Sequence, residues 1–127
     1  SKTTLTGQEL EIMKVVWKLG PATVRQVYEA MLEQRKIAYT TVMTMMNILE
    51  TKGFLKKRSG DKAFVYTPSK PEKTVIRAMV RDFVDRVFNG AAEPLLLHLV
   101  EDDKLTRAEF DDIRRSIREN GQEKKKP

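Results

Sequence analysis

Apolar positions over the first fifty residues recur at helical spacing. Leu10, Ile12, Met13, Val16 and Trp17 form one stripe, and Val24, Val27, Met31 and Leu32 form a second. A capping box introduces each. In Thr6–Gly7–Gln8–Glu9 and Thr23–Val24–Arg25–Gln26, the threonine covers an orphan N–H of the first turn and the Glu or Gln reaches back to the cap. Gly20–Pro21 ends the first helix, because Gly accepts positive φ and Pro cannot continue the ladder. The second helix is expected to end near Gln34, with residues 35–39 as a connector. A third begins at Thr40 or Thr41, turns Val42, Met45, Met46 and Leu49 inward, and stops at Gly53.

The period then changes. Residues 54–58 (FLKKR) and 63–67 (AFVYT) are rich in β-formers, and Ser59–Gly60–Asp61–Lys62 between them predicts a β-hairpin turn. Helical spacing returns from Pro71 to Asn89 through Val75, Ile76, Met79, Val80, Phe83, Val84, Val87 and Phe88, a helix of roughly 28 Å. Asn89–Gly90 stops it. A short helix follows, with Pro94 near its first turn and Leu95, Leu96, Leu97, Leu99 and Val100 apolar. After the connector Glu101–Asp103, a third capping box (Thr106 to Glu109) opens a last helix with Phe110, Ile113 and Ile117 inward. That helix is expected to end at Gly121, leaving Gln122 to Pro127 as a frayed basic tail.

The fold class that follows is mainly α with a small β-hairpin wing. Three helices and a hairpin, residues 1–70, have the layout of a winged helix-turn-helix, in which the third helix enters a DNA major groove and the hairpin lies beside it. Residues 71–127 form a three-helix unit. Some fifty residues are marginal for an independent core. Pairing with a second chain would bury Ile76, Met79, Phe83, Val87, Phe88, Leu96, Leu99 and Ile113, so this unit is read as the dimerisation domain of a homodimer.

On the wheel of the third helix, Thr40, Thr44, Asn47 and Thr51 oppose the apolar sector, with Met43 at the edge. Threonine is a poor helix former, and an inert surface more commonly carries Glu, Lys and Gln. Small hydroxyls permit close approach to a groove and can donate to phosphates or base edges. Asn47 can pair an adenine edge, while Met43 and the threonine methyls can touch thymine methyls. Tyr39, the last residue of the connector, and Thr41, at the start of the helix, complete this candidate DNA-binding face. The stripe has no Arg or Lys for guanine, so each half-site is expected to be read modestly and a second copy to be needed.

Charge supports a polyanionic partner. The net charge is +6. Residues 1–68 hold 11 Lys/Arg against 6 Asp/Glu, whereas the remainder is nearly balanced. Arg25, Lys52, Lys56, Lys57, Arg58 and Lys62 are the candidate phosphate contacts. A winged helix used for protein docking is the competing reading, and the basic wing and connector argue against it. An enzyme is not expected. There is no Cys, no phosphate-cradling Gly loop, and one His (His98) set among leucines as a partly buried structural residue. No metal or cofactor is expected. No apolar run spans a bilayer, and SKTTLTGQEL lacks the apolar segment of a secretory signal, so a cytoplasmic location is expected.

The segments LTGQELEIMKVVWKLG, TVRQVYEAM, AYTTVMTMMNILETKGFLKKR, AFVYTPS and RVFNGAAEPLLLHLVEDDKLT resemble the penicillinase-repressor (BlaI/MecI/CopY) family of winged-helix transcriptional regulators, over about residues 5–120. The resemblance implies homodimeric repressors that bind inverted repeats in promoter DNA. In antibiotic-responsive members, a membrane sensor detects a β-lactam and the repressor is cut in its dimerisation unit, at an Asn–Phe bond. The aligned bond here is His98–Leu99, the candidate cleavage bond of this chain; it departs from the Asn–Phe pair, so the resemblance carries over cleavage in the dimerisation unit and a membrane sensor/protease partner but not the same protease or the β-lactam signal. Copper-responsive members carry a cysteine-rich C-terminal motif that this chain lacks.

Overall fold

The computed structural model describes the backbone of residues 4–125 and the side chains of residues 4–119. The element order is α1 (Gly7–Leu19), α2 (Val24–Leu32), α3 (Tyr39–Thr51), β1 (Leu55–Ser59), β2 (Phe64–Pro68), α4 (Glu72–Phe88), α5 (Ala92–Glu101) and α6 (Arg107–Lys125). Chain contacts divide these into two compact units, Ser1–Val80 and Arg81–Pro127.

In the first unit α1, α2 and α3 close over Ile12, Met13, Val16, Val27, Met31, Val42, Met46 and Leu49, all fully buried. Both expected capping boxes are formed. Thr6 Oγ1 accepts from the Glu9 N–H and Thr23 Oγ1 from the Gln26 N–H, while each Glu or Gln accepts from the cap's own N–H. Gly20 adopts φ +79° and its N–H reaches the Val16 carbonyl, which ends α1. Leu5, Val15, Ala22, Phe54, Leu55, Tyr66 and Val75 complete the core, and Met79 packs against it. The early turns of α4 thus serve the first unit.

β1 and β2 pair antiparallel from Leu55↔Pro68 to Ser59↔Phe64. Gly60 is required at the turn, since a Cβ there would lie 2.5 Å from the Ala63 carbonyl oxygen. β2 is also bridged to the segment before α2. Ala22 N–H donates to the Tyr66 carbonyl at 3.0 Å, and Tyr66 N–H to the Ala22 carbonyl at 2.8 Å. Trp17 Nε1 donates to the Lys70 carbonyl at 2.9 Å and ties the chain leaving the wing to α1.

In the second unit α4 ends at two successive left-handed residues, Asn89 and Gly90, with Gly90 N–H returning to the Val84 carbonyl. Phe88 makes edge contacts with Phe83 and tilted contact with His98. The third capping box, Thr106 to Glu109, is formed.

Several expectations are corrected. α2 stops at Leu32 rather than near Gln34, and Leu32 is exposed. α3 begins at Tyr39, one residue before the threonines, with Ala38 as an N-cap that offers no side-chain bond. Each strand lies one residue later than expected. His98 is exposed rather than partly buried, its ring resting beside Phe88. Ile113 and Ile117 are exposed in the single chain, because the second unit has too few layers to cover them. α6 runs through Gly121 to Lys125. Glycine costs a helix interior only about 1 kcal/mol and does not stop it unaided. Of the expected tail, Lys126 and Pro127 lie outside the described residues.

Candidate nucleic-acid interface

Strand alternation and helix spacing converge on one open cleft. From α3, Tyr39, Met43 and Asn47 face it at i, i+4, i+8. From the hairpin come Lys57, Ser59, Phe64 and Tyr66, which the register places on one face of the sheet. Thr23, Val24 and Arg25 at the start of α2 and residues 60–63 of the turn close the ends. The volume is about 600 Å³. Beside this stripe on α3, Thr40, Thr44 and Thr51 are exposed and Thr41 is half-buried. Asn47 belongs to both stripes. Val42, Met46 and Leu49 hold the helix from behind with no exposed surface, and Met45 packs partly against the core.

The predicted cations do not all arrive at the cleft. Arg25 and Lys62 line it. Arg25 Nε also pairs with Glu29 at 3.1 Å, an exposed i,i+4 contact worth little and readily exchanged for a phosphate. Lys56 and Arg58 are exposed, but the register sets them on the opposite face of the hairpin from Lys57. Among the described residues Lys56, Lys57, Arg58 and Lys62 have no carboxylate partner within ion-pair distance.

Lys52 is engaged elsewhere. Its Nζ lies 2.8 Å from Glu9 Oε1 and 3.4 Å from the Thr4 carbonyl oxygen. Burial by itself pushes the Glu9 carboxyl up. Hydrogen bonds from Lys52 and the Thr6 N–H, with the lysine charge, outweigh it and hold the carboxyl below its ordinary range. Lys52 therefore locks the end of α3 to the start of α1 rather than standing out toward a phosphate.

Two features were missed in the sequence. Phe64 is half exposed on the cleft side of the wing, with Lys57 Nζ 4.6 Å from its ring centroid. Alternation in AFVYT puts Phe64 and Tyr66 on one face, a signal present in the sequence. The second is the Tyr66 hydroxyl, which donates to Asn47 Oδ1 at 2.9 Å. Nineteen residues separate the two, and no local pattern announces the contact.

Among the described residues no group of acidic or His side chains is arranged to hold a metal, and no helix is long and apolar enough to cross a membrane. In the second unit, Ile76, Met79, Leu96, Leu99 and Phe88 of the expected pairing set are half-buried, while Phe83, Val87 and Ile113 are exposed. Met79, and Ile76 beside it, lie within the first unit's bounds. The His98–Leu99 bond lies inside α5.

A profile described as penicillinase repressor matches residues 5–119. The penicillinase repressor of Bacillus licheniformis is 29% identical over 121 residues, 95% of this chain and 94% of that protein. The transcriptional regulator BlaI of Mycobacterium tuberculosis is 32% identical over 119 residues, 92% of this chain and 85% of that protein. The solution structure of the DNA-binding domain of the repressor BlaI is similar at 30% identity and a TM-score of 0.52, covering 57% of this chain and 88% of that one. The chain belongs to the penicillinase-repressor family, whose members are transcriptional repressors and not enzymes.

Proposed function

We propose that two copies of this chain bind an inverted-repeat operator in promoter DNA and repress transcription, each reading one half-site with α3. The observation that carries this reading is the cleft itself. An uncharged α3 face, with Tyr39, Met43 and Asn47 in the cleft and the exposed Thr40, Thr44 and Thr51 beside it, stands next to a hairpin whose lysines have no carboxylate partner, a combination suited to a groove flanked by phosphates. Similarity to the DNA-binding domain of BlaI supports it. Lys57 and Lys62, with Arg25, grip the backbone from the cleft, and Lys56 and Arg58 are left for contacts on the hairpin's other face.

Reading is assigned to the first unit and pairing to the second. Phe83, Val87, Leu97, Val100, Ile113 and Ile117 are large apolar residues left exposed on an element set of fewer than fifty residues. Such surface needs a partner, and a second copy of the chain supplies it symmetrically. Breaking that pairing would lower affinity toward the single half-site level without touching α3. Proteolysis at His98–Leu99, linked to a membrane sensor, is one route to that release. It requires α5 to open first, because a protease takes extended chain and this bond is helical. A repressor of this kind works in the cytoplasm, where its DNA is.

A salt titration of duplex binding tests the DNA reading. Each neutralised phosphate contributes about −0.9 to the slope of log K against log salt. A slope of several units is expected. A flat line would instead favour the protein-docking alternative.

A further inference from the structure

We propose that the cleft between α3 and the wing clasps one sugar–phosphate strand of the duplex, with the Phe64 ring packed on deoxyribose; this rests on the DNA-binding reading above and gives the apolar surface of the cleft a role. In that reading the cations of the cleft meet phosphates, and its apolar surface meets nothing. Tyr39 and Met43 are each 39% exposed and Phe64 is 52% exposed, and all three line the same cleft of about 600 Å³. A single exposed apolar side chain is ordinary. Here large ones converge from a helix and a strand, with Arg25, Lys57 and Lys62 around them. Two chemistries therefore stand side by side on one surface.

A DNA strand carries the same two chemistries in alternation. Each phosphate is charged, and the deoxyribose between phosphates turns carbon-bound hydrogens outward. A surface matched to phosphate alone would need only the cations. In the winged layout the hairpin lies beside the groove that the third helix enters, so the strand bordering that groove runs between them.

Phe64 is held for such a contact. It occupies the last rung of the ladder, opposite Ser59, whose side chain is too small to cover the ring. The turn beyond is closed by Gly60 N–H, which donates to the Ala63 carbonyl at 3.0 Å. Lys57 lies diagonally across the ladder, with Nζ 4.6 Å from the ring centroid. The ammonium takes one side of the ring, so a charge stands directly beside the apolar contact. On the helix side, Tyr39 meets Tyr28 edge-on at 5.4 Å between centroids. Side chains already held in this way lose little freedom on binding.

The share of affinity from Phe64 differs in kind from that of a lysine. Packing on a sugar neutralises no phosphate and releases no counterion, so it is independent of salt. Every nucleotide has the sugar, so it is also independent of sequence.

Equilibrium binding of the full chain, over a range of salt, to a random-sequence duplex and to a duplex selected from a random pool tests this. Phe64→Ala is expected to bind both duplexes more weakly by the same factor, roughly 5- to 15-fold per chain. The slope of log K against log salt stays as in the unsubstituted protein. Phe64→Leu, which keeps apolar bulk without the ring, recovers most of the loss. Trp17 fluorescence in urea checks folding, and binding is compared at a temperature where every variant is folded. Unchanged affinity in Phe64→Ala overturns the proposal and leaves the ring to an acidic protein partner. A slope reduced in magnitude by about 0.9, with Phe64→Leu no better than Phe64→Ala, overturns it too, because Phe64 would then act only by placing Lys57. A loss confined to the selected duplex overturns it as well, since that is base reading. Failure of the underlying DNA reading looks different: the unsubstituted protein then shows a flat salt slope, and both claims fall together.

Discussion

Lys52 reaches from the end of α3 to Glu9 in the first turn of α1, with Nζ 2.8 Å from Oε1. Forty-three residues apart in sequence, the two groups fix the distance between the capped start of one helix and the base of the reading helix. Glu9 is almost fully buried and Lys52 about a quarter exposed.

Lys52→Met should therefore destabilise the first unit, because it leaves a buried carboxylate without its cation. Losing one partner of a fully buried pair costs about 3–5 kcal/mol. With the lysine partly in water, about 2 kcal/mol is expected. Urea unfolding at pH 7, followed by the fluorescence of Trp17, measures it. At a temperature where the variant is folded, the salt slope of DNA binding should be unchanged, because Lys52 is spent on Glu9 and not on a phosphate.

The same pair sets a pH dependence. The folded-state pKa of Glu9 is held below the ordinary value of 4.5. Its contribution is thus complete above that value and is lost as pH falls through the folded one. Glu11 acts in the same sense, its carboxyl lowered chiefly by hydrogen bonds from Arg35. Stability is expected to be level from pH 6 to 8 as far as these groups are concerned, and to fall below about pH 4.5. In Lys52→Met the lysine's hydrogen bond and charge are gone and only the Thr6 hydrogen bonds oppose burial, so the Glu9 carboxyl rises relative to the unsubstituted protein and the loss on acidification should be smaller. An identical acid profile for both proteins would contradict the assignment.

Wing charges should separate by face. Lys57→Ala and Lys62→Ala are each expected to weaken binding across all sequences and to reduce the magnitude of the salt slope by about 0.9. Lys56→Ala and Arg58→Ala, on the other side of the hairpin, should change it less. Equal losses at all four positions would mean that DNA wraps both faces of the wing.

Much of this was legible in the sequence, and the part that was not has a common cause. Capping boxes at Thr6, Thr23 and Thr106 are local chemistry, decided by residues three apart, and all are formed. Helical stripes fixed which residues of α3 are buried, and period-two alternation carried the face of Phe64 and Tyr66. The contacts that went unread join residues far apart: Lys52 with Glu9, Tyr66 with Asn47, Trp17 with Lys70. Each depends on how helices and hairpin pack, which periodicity does not encode. Lys52 and Lys62 are alike as letters in a basic stretch. Only packing separates the one that closes the fold from the one that lines the cleft. Ile113 and Ile117 failed as core residues for a different reason, since an apolar stripe does not say whether its cover comes from the same chain.

Pairing through the second unit makes a direct forecast. Phe83→Asp, at an exposed apolar position near the start of that unit, should yield monomers in sedimentation and weaken binding to a two-half-site duplex far more than to a single half-site. A persistent dimer would move the interface elsewhere.

The central claim is that two copies read one symmetric site through α3. Selection of bound duplexes from a random pool tests it most directly. The prediction is an inverted repeat whose half-sites are separated by a fixed spacing near one helical turn of DNA, about 10 base pairs, or a multiple of it. Recovery of isolated half-sites with no fixed spacing, or of no enriched sequence, would contradict it.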